Sequence, residues 1–279
     1  MEEIRIGELK VRRFGYGTAP LSGPGVWGYP PDRAEAVRTV RRAVELGINF
    51  IDSADTYGPY TAEEIIHEAL HPYPSDLVIA TKGGQVRAGP NVWVPLGRPE
   101  YLRHSCDMSL RRLGLDCIDV YQLHRIDPKV PIEDQVGAMI DLQTAGKIRY
   151  IGASNVTVDQ LATFRKMTPV VSVQGQYNVR DRMSEDVLKV CERDGLVFLP
   201  WFPLSNGDLI KPGGPLDGLS KRTGFTPAQL ALAWLLKRSK SILLFPGTAF
   251  RRELEENFKA ASIELACDVD EEMTAMGLP

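Results

Sequence analysis

Residues 45–52 read Glu45-Leu46-Gly47-Ile48-Asn49-Phe50-Ile51-Asp52: the end of an amphipathic stretch, a glycine, a short apolar run and a carboxylate. Glycine just past a helix supplies the left-handed residue that ends it, and the chain then enters the next strand. The same join recurs at Gly114, Gly146 and Gly195, each followed closely by an apolar run. Helices and strands are therefore predicted to alternate along the chain.

Eight short apolar runs are candidate strands, since runs of this length between helical patterns are typical of buried parallel strands. They lie near residues 14–18, 48–51, 77–80, 118–123, 148–152, 170–174, 196–200 and 241–245. Apolar stripes at helical spacing, such as Val37, Val40 and Val44, separate most of them. This alternation predicts an α/β fold, a (β/α)8 TIM barrel. A doubly wound sheet is disfavoured because no GxGxxG follows an early strand.

The N-terminal segment has a different pattern. Residues 4–11 alternate around Gly7-Glu8, which predicts a small β-hairpin that plugs the bottom of the barrel. No low-complexity linker interrupts the 279 residues. Residues 1–279 are therefore predicted to form a single domain.

Composition limits the partners and the compartment. The chain is 43% hydrophobic and 25% charged, with a net charge of −3. It has no basic patch, so neither nucleic acid nor an anionic membrane is a predicted partner. The N-terminus lacks an apolar signal segment, and the four cysteines show no CxxC spacing, so a cytoplasmic protein with reduced thiols is expected. Composition leaves the oligomeric state open.

Four reactive side chains, Asp52, Tyr57, Lys82 and His124, stand at or just after the ends of consecutive predicted strands. The carboxyl ends of barrel strands converge on one face, where active sites form. There, Lys82 would lower the pKa of Tyr57, which is ordinarily about 10, so that the phenol can act as a general acid. Asp52 would hold Lys82 charged, and His124 would donate a hydrogen bond to a substrate oxygen.

Each of these residues alone has an ordinary structural interpretation, such as a helix cap or a packed aromatic ring. Their joint position at consecutive strand ends favours catalysis. Asp55 is the main alternative to Asp52 for the carboxylate, and Tyr60 is the alternative to Tyr57 for the phenol. No metal site is predicted, because the four histidines show no convergent ligand spacing.

Larger blocks of the sequence resemble the aldo-keto reductases. The first is residues 50–58, Phe-Ile-Asp-Ser-Ala-Asp-Thr-Tyr-Gly. It is followed, in the family's order, by Lys82 and by residues 122–125, 151–155, 173–178, 200–204, 245–248 and 255–257. The resemblance implies the same barrel and the NADPH-dependent reduction of a small aldehyde or ketone, or the reverse oxidation of an alcohol.

The resemblance also implies roles around the reacting carbonyl. Tyr57 would be the general acid, Lys82 and Asp52 the pair that lowers its pKa, and His124 the residue that orients the carbonyl. The nicotinamide carboxamide would be bound by Ser154, Asn155 and Gln174, and the ring would stack on Trp201. Gln176 has the same strand parity as Gln174, and the spacing to Tyr177-Asn178 favours Gln174.

The remaining contacts to NADPH/NADP+ follow from the same resemblance. Backbone N–H groups after the seventh strand would wrap the pyrophosphate, a common way of holding phosphates. The residues implied for this part of the site are Gly17, Thr18, Phe202, Pro203, Leu204, Ser205, Asn206, Gly207 and Leu209. Those implied for the adenosine end are Phe245, Pro246, Gly247, Thr248 and Arg252, with Glu256 and Asn257 at the adenine.

The segment after the eighth strand departs from the commonest family pattern. Many members carry a lysine where this chain has Gly247 and an arginine where it has Glu253. Arg251 and Arg252 would supply the positive charge on the first turn of a helix, whose N-terminus favours anions. Glu253 would repel the 2′-phosphate if its side chain points inward.

Substrate contacts are expected from Trp27, Tyr29, Trp93 and Arg125, besides Tyr57 and His124, with short loops after the early strands. Two other functions fit the same barrel. An aldolase would form a Schiff base on Lys82, but the pairing with Asp52 disfavours it. A cofactor-bound regulatory or channel-associated subunit with little turnover is disfavoured by the complete set of four polar residues.

Overall fold

The computed structural model describes residues 2–277, so that Met1, Leu278 and Pro279 of the predicted 1–279 domain lie outside the described residues. The strands are β1 (Glu3–Ile6), β2 (Leu9–Arg12), β3 (Tyr16–Gly17), β4 (Phe50–Asp52), β5 (Val78–Gly83), β6 (Gln85–Gly89), β7 (Val92–Pro95), β8 (Ile118–Leu123), β9 (Ile148–Ser154), β10 (Ser172–Gln176) and β11 (Val197–Trp201). The helices are α1 (Arg33–Glu45), α2 (Thr61–Leu70), α3 (Pro99–Leu113), α4 (Ile132–Thr144), α5 (Val158–Met167), α6 (Glu185–Asp194), α7 (Asp217–Thr223), α8 (Pro227–Arg238), α9 (Arg251–Phe258) and α10 (Cys267–Ala275).

Seven strands form one parallel sheet in the order β11, β10, β9, β8, β5, β4 and β3. Residues 241–247 close it, because Ile242 pairs in parallel with Phe198 of β11 and Leu244 pairs in parallel with Phe14, just before β3. The predicted (β/α)8 barrel is confirmed. The eighth strand pairs through isolated bridges, at Ile242, Leu244 and Gly247, rather than a regular ladder.

The barrel interior changes from apolar to polar along the strands. Phe50, Ala80 and Val120 belong to an apolar cluster inside the barrel. Side chains two positions apart in a strand face the same way, so Asp52, Lys82 and Gln122 also point inward, one layer nearer the carboxyl ends. The polar residues therefore lie directly above a layer of buried apolar side chains inside the barrel.

The predicted N-terminal hairpin is confirmed. Strands β1 and β2 pair antiparallel, and Ile6 and Val11 are fully buried in the apolar cluster inside the barrel. The Glu8 N–H donates to the hydroxyl of Tyr150 in β9 at 3.1 Å. The hairpin thus closes the end of the barrel opposite the polar layer.

The helix-to-strand joins are built as the glycines predict. Gly47, Gly114, Gly146 and Gly195 have φ of 89°, 65°, 73° and 69°, in the left-handed region that glycine enters without strain. Each follows a helix and precedes a barrel strand, so these joins set the spacing of the repeat.

The expectation of short loops after the early strands is wrong at one place. Strands β6 and β7 form an antiparallel hairpin directly after β5, with a turn at Asn91, whose φ is 57°. The sequence contained a signal for this hairpin, because Val92, Trp93 and Val94 are β-branched or aromatic residues that directly follow the turn former Asn91. The hairpin stands over the polar end of the barrel and brings Trp93 to the site.

Candidate active site

Asp52, Lys82 and Tyr57 meet at the polar end of the barrel. The Lys82 Nζ donates to Asp52 Oδ1 at 2.5 Å, to the Ser53 carbonyl at 2.8 Å and to Tyr57 Oη at 3.3 Å, which uses all three of its protons. Both partners of the ion pair are buried, with side-chain exposures of 0% and 1%. Burial alone would lower the pKa of Lys82, but Asp52 and Tyr57 raise it, so the ammonium stays charged.

The second oxygen of Asp52 connects the pair to the far side of the barrel. Asp52 Oδ2 accepts from Gln122 Nε2 at 2.8 Å and from Gln174 Nε2 at 3.1 Å. The carboxylate therefore bonds to β5, β8 and β10 at once. Gln122 was not predicted from the sequence, although it stands two residues before His124 and so shares its face of the strand.

His124 is a neutral imidazole beside Tyr57. Burial holds the pKa of His124 well below its ordinary value, and the cations of Lys82, Arg125 and Arg87 lower it further. Its Nδ1 lies 3.3 Å from the Thr56 hydroxyl, and its ring centroid lies 6.1 Å from that of Tyr57. A hydroxyl that donates to Nδ1 leaves the ring proton on Nε2, where it can serve a substrate oxygen.

The expected lowering of the Tyr57 pKa is not found. Burial raises the pKa of Tyr57 above its ordinary value, and the Lys82 ammonium offsets only part of that increase. The prediction considered only the nearby cation, which lowers the pKa, and not the loss of water around the buried phenol, which raises it. Tyr57 therefore holds its proton at neutral pH, as a general acid must before it reacts.

The two alternative residues lie away from this cluster. The Asp55 carboxylate accepts from Ser105 Oγ at 2.5 Å and Tyr101 Oη at 3.3 Å, both on α3. Tyr60 is 48% exposed, and its ring packs against the Arg112 guanidinium, 4.2 Å from the ring centroid. Lys82 therefore pairs with Asp52 and Tyr57 rather than with these two.

The residues predicted to hold the nicotinamide form one hydrogen-bonded group beside His124. Asn155 Nδ2 donates to Ser154 Oγ at 2.9 Å and to the His124 carbonyl at 3.2 Å, while Trp201 Nε1 donates to Asn155 Oδ1 at 3.1 Å. Gln174 joins through Asp52. Gln176, which parity alone left open, instead donates to Asp181 at 2.6 Å. The group offers the hydroxyl and amide donors and acceptors that a carboxamide needs.

The loop after β11 is folded on itself. The N–H groups of Ser205, Gly207 and Leu209 donate to carbonyls of Phe202 and Leu204 at 2.9 to 3.4 Å. Leu209 is buried, whereas the Phe202 ring is 46% exposed, with φ 56°, 4.7 Å from the Trp201 ring. Pro203 and Leu204 are half-buried between them. A pyrophosphate bound here through those N–H groups would require the loop to rearrange.

Two glycines bring the first and eighth barrel segments together. Gly17 and Gly247 pair in parallel, and a Cβ on Gly247 would lie 2.6 Å from the Gly17 carbonyl oxygen. The lysine that many family members carry at this position therefore does not fit this backbone unchanged. Thr18 is buried beside them and donates from its N–H to the Asp52 carbonyl at 3.0 Å, while Phe245 extends into the apolar interior.

The charges at the start of α9 differ from the expected pair of free arginines. Arg251 binds Glu35 of α1 through its backbone N–H, Nε and Nη2, at 3.1 to 3.2 Å. Arg252 is exposed, and Glu253 accepts from the Thr248 hydroxyl at 2.5 Å. Further along the helix, Glu256 is half-buried and Asn257 is buried. Arg252 is thus the more available cation.

Aromatic side chains border the space above Tyr57 and His124. The Trp93 ring centroid lies 6.4 Å from that of Tyr57 and 6.2 Å from that of His124. Trp27 is 36% exposed nearby, and Arg125 is exposed. Tyr29, 60% exposed, instead lies with its ring centroid 5.0 Å from the Arg33 guanidinium. The structure therefore places Trp27 and Trp93 at the mouth of the site.

Known proteins resemble this chain over nearly its whole length. The model of the aldo/keto reductase family matches residues 13–276. An oxidoreductase of Schizosaccharomyces pombe is 47% identical over 266 residues, which cover 95% of this chain and 87% of that protein. The pyridoxine 4-dehydrogenase of Escherichia coli is 40% identical over 270 residues, which cover 95% and 94%.

The chain belongs to the aldo-keto reductase family. The fold of this aldo-keto reductase is shared by solved members at 25% identity. One is the holo form of an enzyme from Bacillus halodurans, with a TM-score of 0.84 and coverage of 99% of this chain and 96% of that one. Another is a Klebsiella pneumoniae aldo-keto reductase in complex with NADPH, with a TM-score of 0.83 and coverage of 99% and 94%. The present reductase is therefore an oxidoreductase.

Two further features of the reductase concern residues 2–277. Within this range, no helix is both long and apolar enough to cross a membrane. Among the same residues, no three His, Cys, Asp or Glu side chains come together in a way that would hold a metal ion.

Proposed function

We propose that this aldo-keto reductase uses NADPH to reduce an aldehyde or ketone, and oxidises the alcohol in reverse, with Tyr57 as the general acid. The observation that carries the proposal is the bond from the buried Lys82 to both Asp52 and Tyr57, with the neutral His124 beside the phenol. Such a site holds a proton next to a cation that stabilises the anion left behind.

The residues present suit the cofactor. Ser154, Asn155 and Gln174 offer a set of hydroxyl and amide groups that complements a carboxamide, and Trp201 offers a partly exposed ring beside them. The Klebsiella pneumoniae relative was crystallised with NADPH. Bound there, NADPH would supply a hydride to the carbonyl carbon.

The protein's own groups would handle the carbonyl oxygen. The Nε2–H of His124 would donate to that oxygen and orient the carbonyl, as the Thr56 bond to Nδ1 allows. As charge develops on the oxygen, Tyr57 would transfer its proton there, and Lys82 would stabilise the phenolate that remains. Asp52, with the two glutamine amides, would keep Lys82 charged and in place.

For the substrate, we propose a planar aromatic aldehyde. Trp93 stands against both Tyr57 and His124, and Trp27 extends the aromatic surface, so a flat ring can stack where an aliphatic chain gains less. The relative from Escherichia coli is by name a pyridoxine 4-dehydrogenase. The pair formed by pyridoxine and its 4-aldehyde, pyridoxal, is therefore the first to test.

NADPH oxidation is expected to be fastest, in kcat/KM, with pyridoxal in a panel of aldehydes, ketones and ketosugars. The advantage over a straight-chain aldehyde of similar size should be about tenfold, the scale of one aromatic contact. Pyridoxine should reduce NADP+ in the reverse assay. Stronger activity on aliphatic aldehydes or sugars would reject the aromatic class, whereas NADPH binding without any oxidation would favour a regulatory subunit.

The cofactor preference is expected to depend on the charges that open α9. If the 2′-phosphate lies there, Glu253→Gln should tighten NADPH about two- to fivefold, and Arg252→Ala should weaken it by a similar factor, as for exposed charge pairs. Arg251→Ala should do less, because Arg251 is held by Glu35. The dissociation constants of NADPH, measured by fluorescence across a salt series, would report these changes.

NADH is the internal control, since it lacks the phosphate. Its affinity should stay within about twofold in all three variants, and the wild-type preference for NADPH should fall as salt is added. If the variants change both cofactors equally, or the wild type prefers NADH, the phosphate is not recognised by these residues.

A further inference from the structure

Arg87 of β6 makes an unusual set of contacts next to the active site. Its side chain donates to five backbone carbonyls, those of Gly25, Val26, Thr56, Gly89 and Val92, at 2.6 to 3.2 Å. An arginine has five N–H donors, so every one is used. Within residues 2–277, no carboxylate lies within ion-pair distance of it, so its charge is balanced by carbonyl dipoles alone.

These contacts join three separate segments: the loop at 25–26, the loop after β4 at Thr56, and the β6–β7 hairpin. The guanidinium also lies 3.6 Å from the centroid of the Trp93 ring and 5.8 Å from that of Trp27. Stacking on Trp93 adds a cation–π contact to the hydrogen bonds. Arg87 thus fixes the part of the chain that forms the mouth of the site.

Arg87 is linked to Tyr57 and His124 through residues that it contacts directly, Thr56 and Trp93. The Thr56 carbonyl accepts a hydrogen bond from Arg87, and the Thr56 hydroxyl is within hydrogen-bond distance of His124 Nδ1. Trp93 lies under the guanidinium and against the rings of Tyr57 and His124. A shift of the Thr56 backbone would therefore change the contact between the Thr56 hydroxyl and His124 Nδ1, and a shift of Trp93 would move the aromatic ring beside Tyr57 and His124.

We propose that Arg87 is a positioning residue of this reductase: it holds Thr56 so that His124 presents Nε2–H, and it holds Trp93 as the aromatic wall of the substrate site. The proposal rests on the proposed function, in which Tyr57 and His124 act on a carbonyl. A flexible lysine retains the charge but neither the planar fork nor the full set of donors, so the geometry requires arginine.

The variants Arg87→Met and Arg87→Lys test this, with Arg98→Met as the matched control. Arg98 follows β7, the second strand of the same hairpin. Its side chain forms an exposed ion pair with Glu100. Arg87→Met should raise KM for an aromatic aldehyde and lower kcat, each about tenfold or more, because misplaced catalytic groups lose rate steeply. The dissociation constant of NADPH should change less than twofold, and Arg87→Lys should lie between wild type and Arg87→Met.

A purely structural role would lower the melting temperature without changing the kinetics of the folded enzyme. Kinetics of Arg87→Met equal to those of Arg98→Met at a temperature where both are folded would therefore overturn the proposal. An equal loss of NADPH affinity would overturn it too, since the cofactor residues do not contact Arg87. If Arg87→Met does not fold, Arg87→Lys is measured in the same way.

A readout that needs no turnover separates this proposal from the proposed function. Nitrogen-15 NMR of His124 in the ligand-free enzyme should show the Nε2–H tautomer in wild type and in Arg98→Met. Arg87→Met and Arg87→Lys should show a mixture of tautomers. A wild-type enzyme that reduces no carbonyl would reject the proposed function, while an unchanged His124 spectrum in the Arg87 variants would reject the positioning role.

Discussion

Tyr57→Phe is expected to lower kcat for carbonyl reduction about 10²- to 10⁴-fold, the usual contribution of a general acid. The variant keeps the ring that packs near Trp93 and His124 and removes only the hydroxyl that Lys82 contacts. NADPH affinity, followed by quenching of tryptophan fluorescence, should stay close to wild type. Single-turnover measurements of NADPH oxidation would assign the loss to the chemical step.

Tyr60→Phe is the control for this prediction. Tyr60 belongs to the same loop but is 48% exposed and packs on Arg112, so its variant should keep wild-type kcat. Near-normal activity in Tyr57→Phe, or a large loss in Tyr60→Phe, would assign proton donation to another group.

Lys82→Met should reduce turnover by a factor comparable to Tyr57→Phe and also destabilise the fold. All three ammonium bonds disappear, and Asp52 is left as a carboxylate in the barrel interior with only the amides of Gln122 and Gln174. Removing one partner of a buried ion pair typically costs about 3–5 kcal/mol in the free energy of unfolding. Urea denaturation of the variant would measure this loss.

The double variant Asp52→Asn, Lys82→Met separates the two effects. It removes both charges, so most of the lost unfolding free energy should return, because replacing a buried pair by neutral groups is often nearly neutral. Turnover should not return, since the cation beside the phenol is still missing. A double variant as unstable as Lys82→Met would show that the cost arises from packing, and a recovery of kcat would exclude Lys82 from the chemistry.

Local pattern determined the architecture of this protein. The four glycines that end helices before strands, and the eight apolar runs, follow from the conformational freedom of glycine and from burial of strands on both faces. Both signals are contained in a few neighbouring residues. The four joins are present in the structure, seven of the eight runs contain barrel strands, and the eighth run pairs through isolated bridges. Position at strand ends also grouped Asp52, Tyr57, Lys82 and His124, because a barrel brings those ends together.

Tertiary structure decided which side chains are free and which are engaged. Arg251 and Arg252 look alike in the sequence, but in the structure Arg251 is hydrogen-bonded to Glu35, which lies 216 residues before it. The direction of the Tyr57 pKa shift follows from how much water the folded barrel removes, not from the neighbouring cation alone. Arg87 acquires its position only when three distant segments place their carbonyls around it. Side-chain partners and burial are properties of chain segments far apart in sequence, and folding alone brings those segments into contact.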